Sequence, residues 1–191
     1  ERRNSGNSET QSNRDHDPVH GLSDPWNNQS HTTAHSLTIR RHSVAIATPE
    51  SYADMLDRAK AGKYAIPAIN VTSSQTLSAA LKGFADAESD GIVQVSNGGA
   101  AYWSGSSRAD RVKGSLALSA YAYSVADLYP GVVALHTDHC PRKLVDTWLK
   151  PLLEIEIEQA RRGEPTAFQS HMWDGSAETL KDNIEIAVEL L

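Results

Sequence analysis

The sequence predicts an α/β fold with a parallel sheet: the (β/α)8 TIM barrel family, with only the first four strand–helix units present. Three observations lead there. From residue 45 onward, short apolar runs alternate with segments whose apolar residues recur at helical spacing. Such alternation gives a parallel sheet covered by helices. The runs start near residues 64, 91, 131 and 166, roughly 27 to 40 residues apart, which leaves room for a crossover helix each time. Polar residues gather at the C-terminal ends of the runs, at Asn70, Ser96–Gly99, His136–His139 and His171. A barrel enzyme places its chemistry at that end. A doubly wound sheet also fits the alternation, but no G-x-G-x-x-G follows the first run, so dinucleotide binding lacks its signature. A complete barrel takes ~250 residues, and 64–191 is about half of that.

The elements follow in order. Thr48-Pro49 reads as an N-cap with proline at the first helical position. Tyr52, Met55, Leu56 and Ala59 then fall at helical spacing, and Gly62 closes the helix. Tyr64–Val71 reads as the first strand. Thr72 with Gln75 forms a candidate capping box, and Leu77, Ala80, Leu81 and Phe84 make the stripe of the next helix. Gly91–Ser96 is the second strand, Val112, Leu116, Ala120 and Tyr123 mark a helix, and Val132–Thr137 is the third strand. A helical stretch interrupted by proline covers about 142–161. Thr166–His171 is the fourth strand, and Leu180, Ile184, Ala187, Val188 and Leu191 mark the last helix.

The first 44 residues differ in kind. Residues 1–36 contain only four members of the hydrophobic set, Val19, Leu22, Trp26 and Ala34. A stretch so poor in apolar surface does not offset its ordering entropy. Residues 1–44 are therefore expected to be a disordered tail, or upstream sequence outside the folded unit. Five histidines lie there, His16, His20, His31, His35 and His42, and a solvated tail accounts for them better than a metal site. No contiguous apolar segment suggests a secretory signal.

Composition excludes several classes. The chain has 191 residues, Lys+Arg 18 against Asp+Glu 24, and a net charge of −6. A mildly acidic chain has no electrostatic reason to seek nucleic acid or an anionic membrane. No apolar run approaches the ~18–20 residues of a bilayer span. The single cysteine, Cys140, forms no internal disulfide. The expectation is a cytoplasmic protein that binds neither nucleic acid nor membrane.

The residues that carry chemistry lie in two runs. His136-Thr137-Asp138-His139-Cys140 closes the third strand. Alternation sends Thr137 and His139 to one face and His136 and Asp138 to the other, unless the strand ends at Thr137 and both Asp138 and His139 turn toward the mouth. Imidazole suits zinc, and a carboxylate beside a metal suits proton transfer. His136 reads as a satisfied core histidine, and Cys140 as a small buried hydrophobe. Ser170-His171-Met172-Trp173-Asp174-Gly175-Ser176 follows the fourth strand. Asp174 reads as a turn or cap residue that also has reach toward a metal, and Trp173 as a residue buried against a helix. Ser96-Asn97-Gly98-Gly99 offers N–H groups and hydroxyls to an anion.

Four segments, Pro67–Val71, Gln94–Ala100, Leu135–Cys140 and Phe168–Ser176, resemble the class II fructose-bisphosphate aldolases in content and order. The resemblance covers about 45–191. It implies a (β/α)8 barrel, usually a homodimer or larger. It implies reversible cleavage of fructose 1,6-bisphosphate into dihydroxyacetone phosphate and glyceraldehyde 3-phosphate. By the same resemblance His139 matches a zinc ligand and Asp138 the catalytic acid/base. Asp174 matches a carboxylate at an alternative or second metal position, and Asn70 and Ser96 match substrate contacts. The family's two further zinc histidines and its phosphate loops fall on later strands, so this chain is expected to be inactive alone. Tagatose-bisphosphate aldolase, and a non-catalytic half barrel acting through a partner, are the alternatives.

Overall fold

The computed structural model describes residues 46–191. They form four units around one parallel sheet of order β1-β2-β3-β4. The elements are α1 (Pro49–Gly62), β1 (Ala68–Asn70), α2 (Ser74–Asp86), β2 (Gly91–Ser96), α3 (Asn97–Trp103) and α4 (Arg111–Val125). They continue with β3 (Val133–Pro141), α5 (Arg142–Leu144), a π-helical turn (Val145–Leu149), α6 (Lys150–Arg161), β4 (Ser170–Asp174) and α7 (Leu180–Leu190). All strand pairs are parallel, as the alternation requires. The reading of residues 1–44 lies outside the described residues.

Local chemistry sets each boundary. Thr48 caps α1, accepting from the Ser51 N–H while the Ser51 hydroxyl accepts from the Thr48 N–H. The helix closes on Lys63, in the left-handed region at φ 54°, one residue beyond Gly62. The second capping box is Ser73 with Thr76 rather than Thr72 with Gln75. The two hydroxyls of Ser73 and Thr76 reciprocate at the N3 position, which Gln75 misses by one residue. The strand expected over Tyr64–Val71 shortens to Ala68–Asn70. β1 has one neighbour, and Pro67 has no N–H to donate, although its carbonyl accepts from Ile92 N–H.

The core lies between the sheet and its helices. Leu77, Leu81 and Phe84 of α2 are buried, as the stripe predicts. α4 forms where the spacing marks a helix, and Val112 and Leu116 pack against the core beside its most buried residues. Its buried residues are Gly114, Ser115, Leu118, Ser119 and Ala122, whereas Ala120 and Tyr123 are exposed. Two hydroxyls on that face are satisfied inside the core. Ser115 Oγ accepts from Trp148 Nε1 at 3.0 Å, and Ser119 donates to the Ala167 carbonyl at 2.8 Å. Buried polar groups that find partners carry little penalty, so apolar periodicity alone does not reveal them. Gly114 is required there. A Cβ on it would stand 2.8 Å from the Ala100 carbonyl carbon and 3.0 Å from Ser104 N, which lets α3 and α4 touch backbone to backbone. The π-helical turn precedes Pro151, which has no N–H for the preceding turn, and it buries Val145, Trp148 and Leu149.

A second small cluster, Ala47, Met55 and Ala134 with Tyr52, Ile66, Ile92 and Val132, packs α1 against the other face of the sheet, near the strands' N-terminal ends. The fourth strand starts later than expected, at Ser170. Side chains take the bonds that a ladder would make before it: Gln159 accepts from Ala167 N–H, Glu156 from Phe168 N–H and Gln169 from Leu135 N–H. α7 has no buried residue, and Leu180, Ile184 and Val188 are 77%, 55% and 68% exposed.

Candidate active site

The third strand departs from expectation in the way that matters most. It does not stop at Thr137 but runs on to Pro141. Thr137 pairs with His171, and the next pair is Cys140 with Trp173. Two residues of β3, Asp138 and His139, therefore oppose one residue of β4, Met172: a β-bulge. His139 carries φ 38°, a left-handed conformation uncommon outside glycine. The extra residue brings Asp138 and His139 to the same site, while Thr137 and Cys140 are both buried in the core.

Four of the five candidate residues meet there. Asn70 Nδ2 donates to Asp138 Oδ2 at 2.9 Å. Asp138 Oδ1 lies 3.6 Å from His139 Nε2. His139 Nδ1 lies 3.0 Å from Asp174 Oδ2. An ionised carboxylate only accepts, so Nδ1–H is the donor and Nε2 faces outward beside Asp138. Ser96, the fifth, is the register partner of Asp138. Its hydroxyl caps α3, accepting from Gly99 N–H at 3.1 Å, so the Ser96–Gly99 segment opens a helix rather than a free anion loop.

Charge follows this geometry. The hydrogen bond to Asp174, and then the charge of Asp138, raise the His139 pKa above its ordinary value. The Asp174 carboxyl is lowered to about 2, first by the Ser176 hydroxyl and then by His139. Ser176 N–H also donates to Asp174 at 3.1 Å, the turn role expected of that residue. Burial pushes the Cys140 thiol up to about 11, in keeping with a packed small residue.

Beneath the site His136 Nδ1 lies 2.8 Å from Ser170 Oγ, which lies 3.0 Å from the Tyr52 hydroxyl of α1. Burial lowers the His136 pKa. Sequence reasoning left Ser170 and Tyr52 without a role there, and no spacing signal ties residues 118 positions apart. His171 does not join the mouth. It faces α6, where Nε2 meets Glu156 Oε2 at 2.8 Å and Nδ1 meets Thr137 Oγ1 at 2.8 Å. Being next to a strand end says nothing of which face a residue takes. Trp173 packs against the core and donates to Asn183 of α7 at 2.8 Å. Next to Asp174 opens a cleft of about 530 Å³ bounded by Pro141, Arg142, Lys143 and Glu178, bridged by Arg142 and Glu178 at 2.8 Å.

The donor set fits one corner of a zinc centre: an imidazole held at Nδ1 by a carboxylate, with Nε2 available. Among the described residues no three His, Cys, Asp or Glu side chains form a group able to hold a metal ion. Also among the described residues, no helix is long and apolar enough to cross a membrane.

A half-barrel sheet with its polar residues at the strand ends is the architecture of the (β/α)8 enzymes. The comparisons give the family. The profile described as fructose-bisphosphate aldolase class-II matches residues 50–191, and the chain belongs to that family. The fructose-bisphosphate aldolase of Streptomyces coelicolor is 61% identical over 148 residues, covering 78% of this chain and 43% of the relative. That of Corynebacterium glutamicum is 58% identical with the same coverage. The crystal structure of the Campylobacter jejuni aldolase superposes with a TM-score of 0.68 at 33% identity, covering 74% of this chain and 42% of that one. The chain thus spans less than half the length of the curated relatives it matches.

Proposed function

We propose that this chain forms the N-terminal half of a class II fructose-bisphosphate aldolase, a cytoplasmic enzyme that works as a homodimer when its barrel is complete. The reaction is reversible cleavage of fructose 1,6-bisphosphate into dihydroxyacetone phosphate and glyceraldehyde 3-phosphate. The arrangement of Asp138, His139 and Asp174 carries this reading, because it supports a histidine ligand and an acid/base group on adjacent residues.

In cleavage, the Asp138 carboxylate takes the proton of the C4 hydroxyl as the C3–C4 bond breaks and the aldehyde forms. In condensation the same carboxyl returns that proton. The Asn70 amide holds Asp138 Oδ2, which leaves Oδ1 to face the substrate. His139 would hold zinc through Nε2, and zinc when bound supplies Lewis-acid polarisation of the substrate's carbonyl oxygen. Asp174 supports the metal through His139, since a carboxylate on the far ring nitrogen fixes the tautomer and raises ligand basicity. Ser96 borders the substrate from the cap of α3.

A catalytic zinc site usually takes three protein ligands, and this chain supplies His139 with at most an assisting carboxylate. The test therefore fuses residues 46–191 to the remaining C-terminal part of the S. coelicolor relative. The fusion is assayed for zinc-dependent, chelator-sensitive cleavage by coupled triose-phosphate detection, beside the 191-residue chain alone. The fusion turns over and the chain alone does not. Asp138→Ala lowers turnover ~10²–10⁴-fold, the usual contribution of a general acid/base, with zinc retained, and His139→Ala loses zinc. An inactive fusion, or a mild Asp138→Ala effect, overturns the reading.

A further inference from the structure

The largest buried polar investment of the described chain lies outside the site, under α6. Glu156 is 7% exposed and Thr137 1%. A buried carboxylate is costly unless it is paired and hydrogen-bonded, and each oxygen of Glu156 has a partner. Glu156 Oε1 accepts from Phe168 N–H at 3.0 Å, and Oε2 meets His171 Nε2 at 2.8 Å. His171 Nδ1 meets Thr137 Oγ1 at 2.8 Å. The direction follows from the end group. The carboxylate only accepts, so His171 donates from Nε2, and Nδ1 is left to bond the Thr137 hydroxyl, which both donates and accepts. The line runs from α6 through β4 to β3.

Its position is specific. Thr137 and His171 are the last regular pair before the bulge, and Cys140–Trp173 is the first after it. A bulge left to itself can slide along a ladder, because an extra residue is tolerated at several neighbouring pairs. The hydrogen bond between Thr137 and His171 ties one pair by side chains as well as backbone, and Glu156 fixes His171 against α6. The extra residue is then confined to Asp138–His139. We infer that Glu156 and His171, acting through Thr137, are positioning residues. They hold the bulge in the register that sets His139 Nδ1 on Asp174 and brings Asp138 beside Nε2. None of the three touches the mouth. The inference deepens the proposed site and rests on that reading for its functional meaning, although its geometric content does not depend on a metal.

The experiment uses the full 191-residue chain with ¹⁵N-labelled histidine, and long-range ¹H–¹⁵N spectra taken well above the His139 transition. The His139 signals are assigned by loss in His139→Asn. Free neutral imidazole favours the Nε2–H form. His139 donating to Asp174 is held in the Nδ1–H form. Wild type and Thr137→Ser, which keeps the hydroxyl, show His139 predominantly as Nδ1–H. Thr137→Val, nearly isosteric and without the hydroxyl, reverts His139 to the mixture of free imidazole. A fold lost in Thr137→Val is bypassed by His171→Gln. Its amide reproduces the Nε2 donor to Glu156 and lacks a partner for Thr137, and the same reversion is expected. Amide dispersion of the rest of the chain confirms the fold of each variant, so loss of general packing does not mimic the result. A folded Thr137→Val or His171→Gln chain with His139 still Nδ1–H overturns the inference. Added Zn²⁺ is a separate arm: the absence of any effect on the His139 Nε2 resonance in wild type counts against the metal-site reading, while the tautomer decides the positioning role by itself.

Discussion

Adding one methyl group at either of two glycines has opposite effects. Gly114 and Gly83 both lie inside helices, so alanine improves intrinsic propensity at each by up to ~1 kcal/mol. Around Gly83 nothing lies within 4 Å of the new Cβ. Gly83→Ala therefore gains about 0.5–1 kcal/mol. At Gly114 the Cβ would overlap the Ala100 carbonyl oxygen, with the carbonyl carbon at 2.8 Å and Ser104 N at 3.0 Å. Carbon pairs settle at ~3.5–4.0 Å, so α3 and α4 must separate by roughly 1 Å. The obstacle is backbone, which no rotamer change relieves. A backbone obstacle puts the overpacking cost at the upper end of its range, ~2–3 kcal/mol, and after a propensity gain of ~1 kcal/mol the net loss is about 1–2 kcal/mol. For a chain of this size each kcal/mol moves the melting temperature ~2–4 °C. Thermal unfolding followed by far-UV circular dichroism should place Gly114→Ala roughly 2–8 °C below wild type and Gly83→Ala roughly 1–4 °C above it. Because α3 is capped by Ser96, Gly114→Ala also shifts the border of the site. A Gly114→Ala chain that melts at or above wild type would refute the close helix approach.

Two further outcomes follow from charge and surface. The Asp174 carboxyl is lowered from 3.8 to about 2. Its stabilising contribution is complete above 3.8 and disappears as pH falls toward about 2. Acid unfolding should steepen across that window in wild type and flatten in Asp174→Asn; equal slopes refute the pairing. The exposed apolar face of α7, with Leu180, Ile184 and Val188 uncovered, should drive self-association of the isolated chain. Sedimentation velocity should show concentration-dependent growth that Ile184→Glu with Val188→Glu suppresses, and a wild-type monomer at all concentrations contradicts this.

Much of the architecture was legible because it rests on patterns a chain must display. Leu77, Leu81 and Phe84 announce one buried helix face, and Thr48-Pro49 announces a start, through interactions at most four residues long. β1 was drawn too long, and β4 was placed too early, at Thr166–His171 where the strand is Ser170–Asp174, because an apolar run does not reveal where hydrogen-bond partners begin and give out. At Pro67 the donor is missing, and before Ser170 the side chains of Glu156, Gln159 and Gln169 take over. α4 was legible as a helix, but the burial of Ser115 and Ser119 was not, since each is polar in sequence and satisfied in the core by a partner more than thirty residues away. At the site, the pattern placed Asn70, Asp138 and His139 at strand ends, and the family resemblance added Asp174 to the set. The bulge that lets them meet was not legible, because nothing in His136–Pro141 marks where one extra residue is absorbed. His171 was misassigned for the same reason: local order fixes proximity to a strand end but not the side of the sheet.

The bulge in β3 makes the number of residues in this segment matter as much as their identity. Below it, odd positions such as Leu135 and Thr137 face the helices; above it, an even position, Cys140, does so. The strand is thus read in two frames joined at Asp138–His139. A substitution on either side leaves both frames intact, so the two faces can vary in composition independently. Deleting a single residue at the junction would merge the frames. Cys140 would then follow Thr137 at the regular spacing of two and keep both its partner Trp173 and its place in the core, but the doubled position that brings Asp138 and His139 to one site would be gone. A deletion at the junction should therefore leave the sheet folded and dismantle the site, whereas a deletion elsewhere in the strand shifts every residue beyond it to the opposite face.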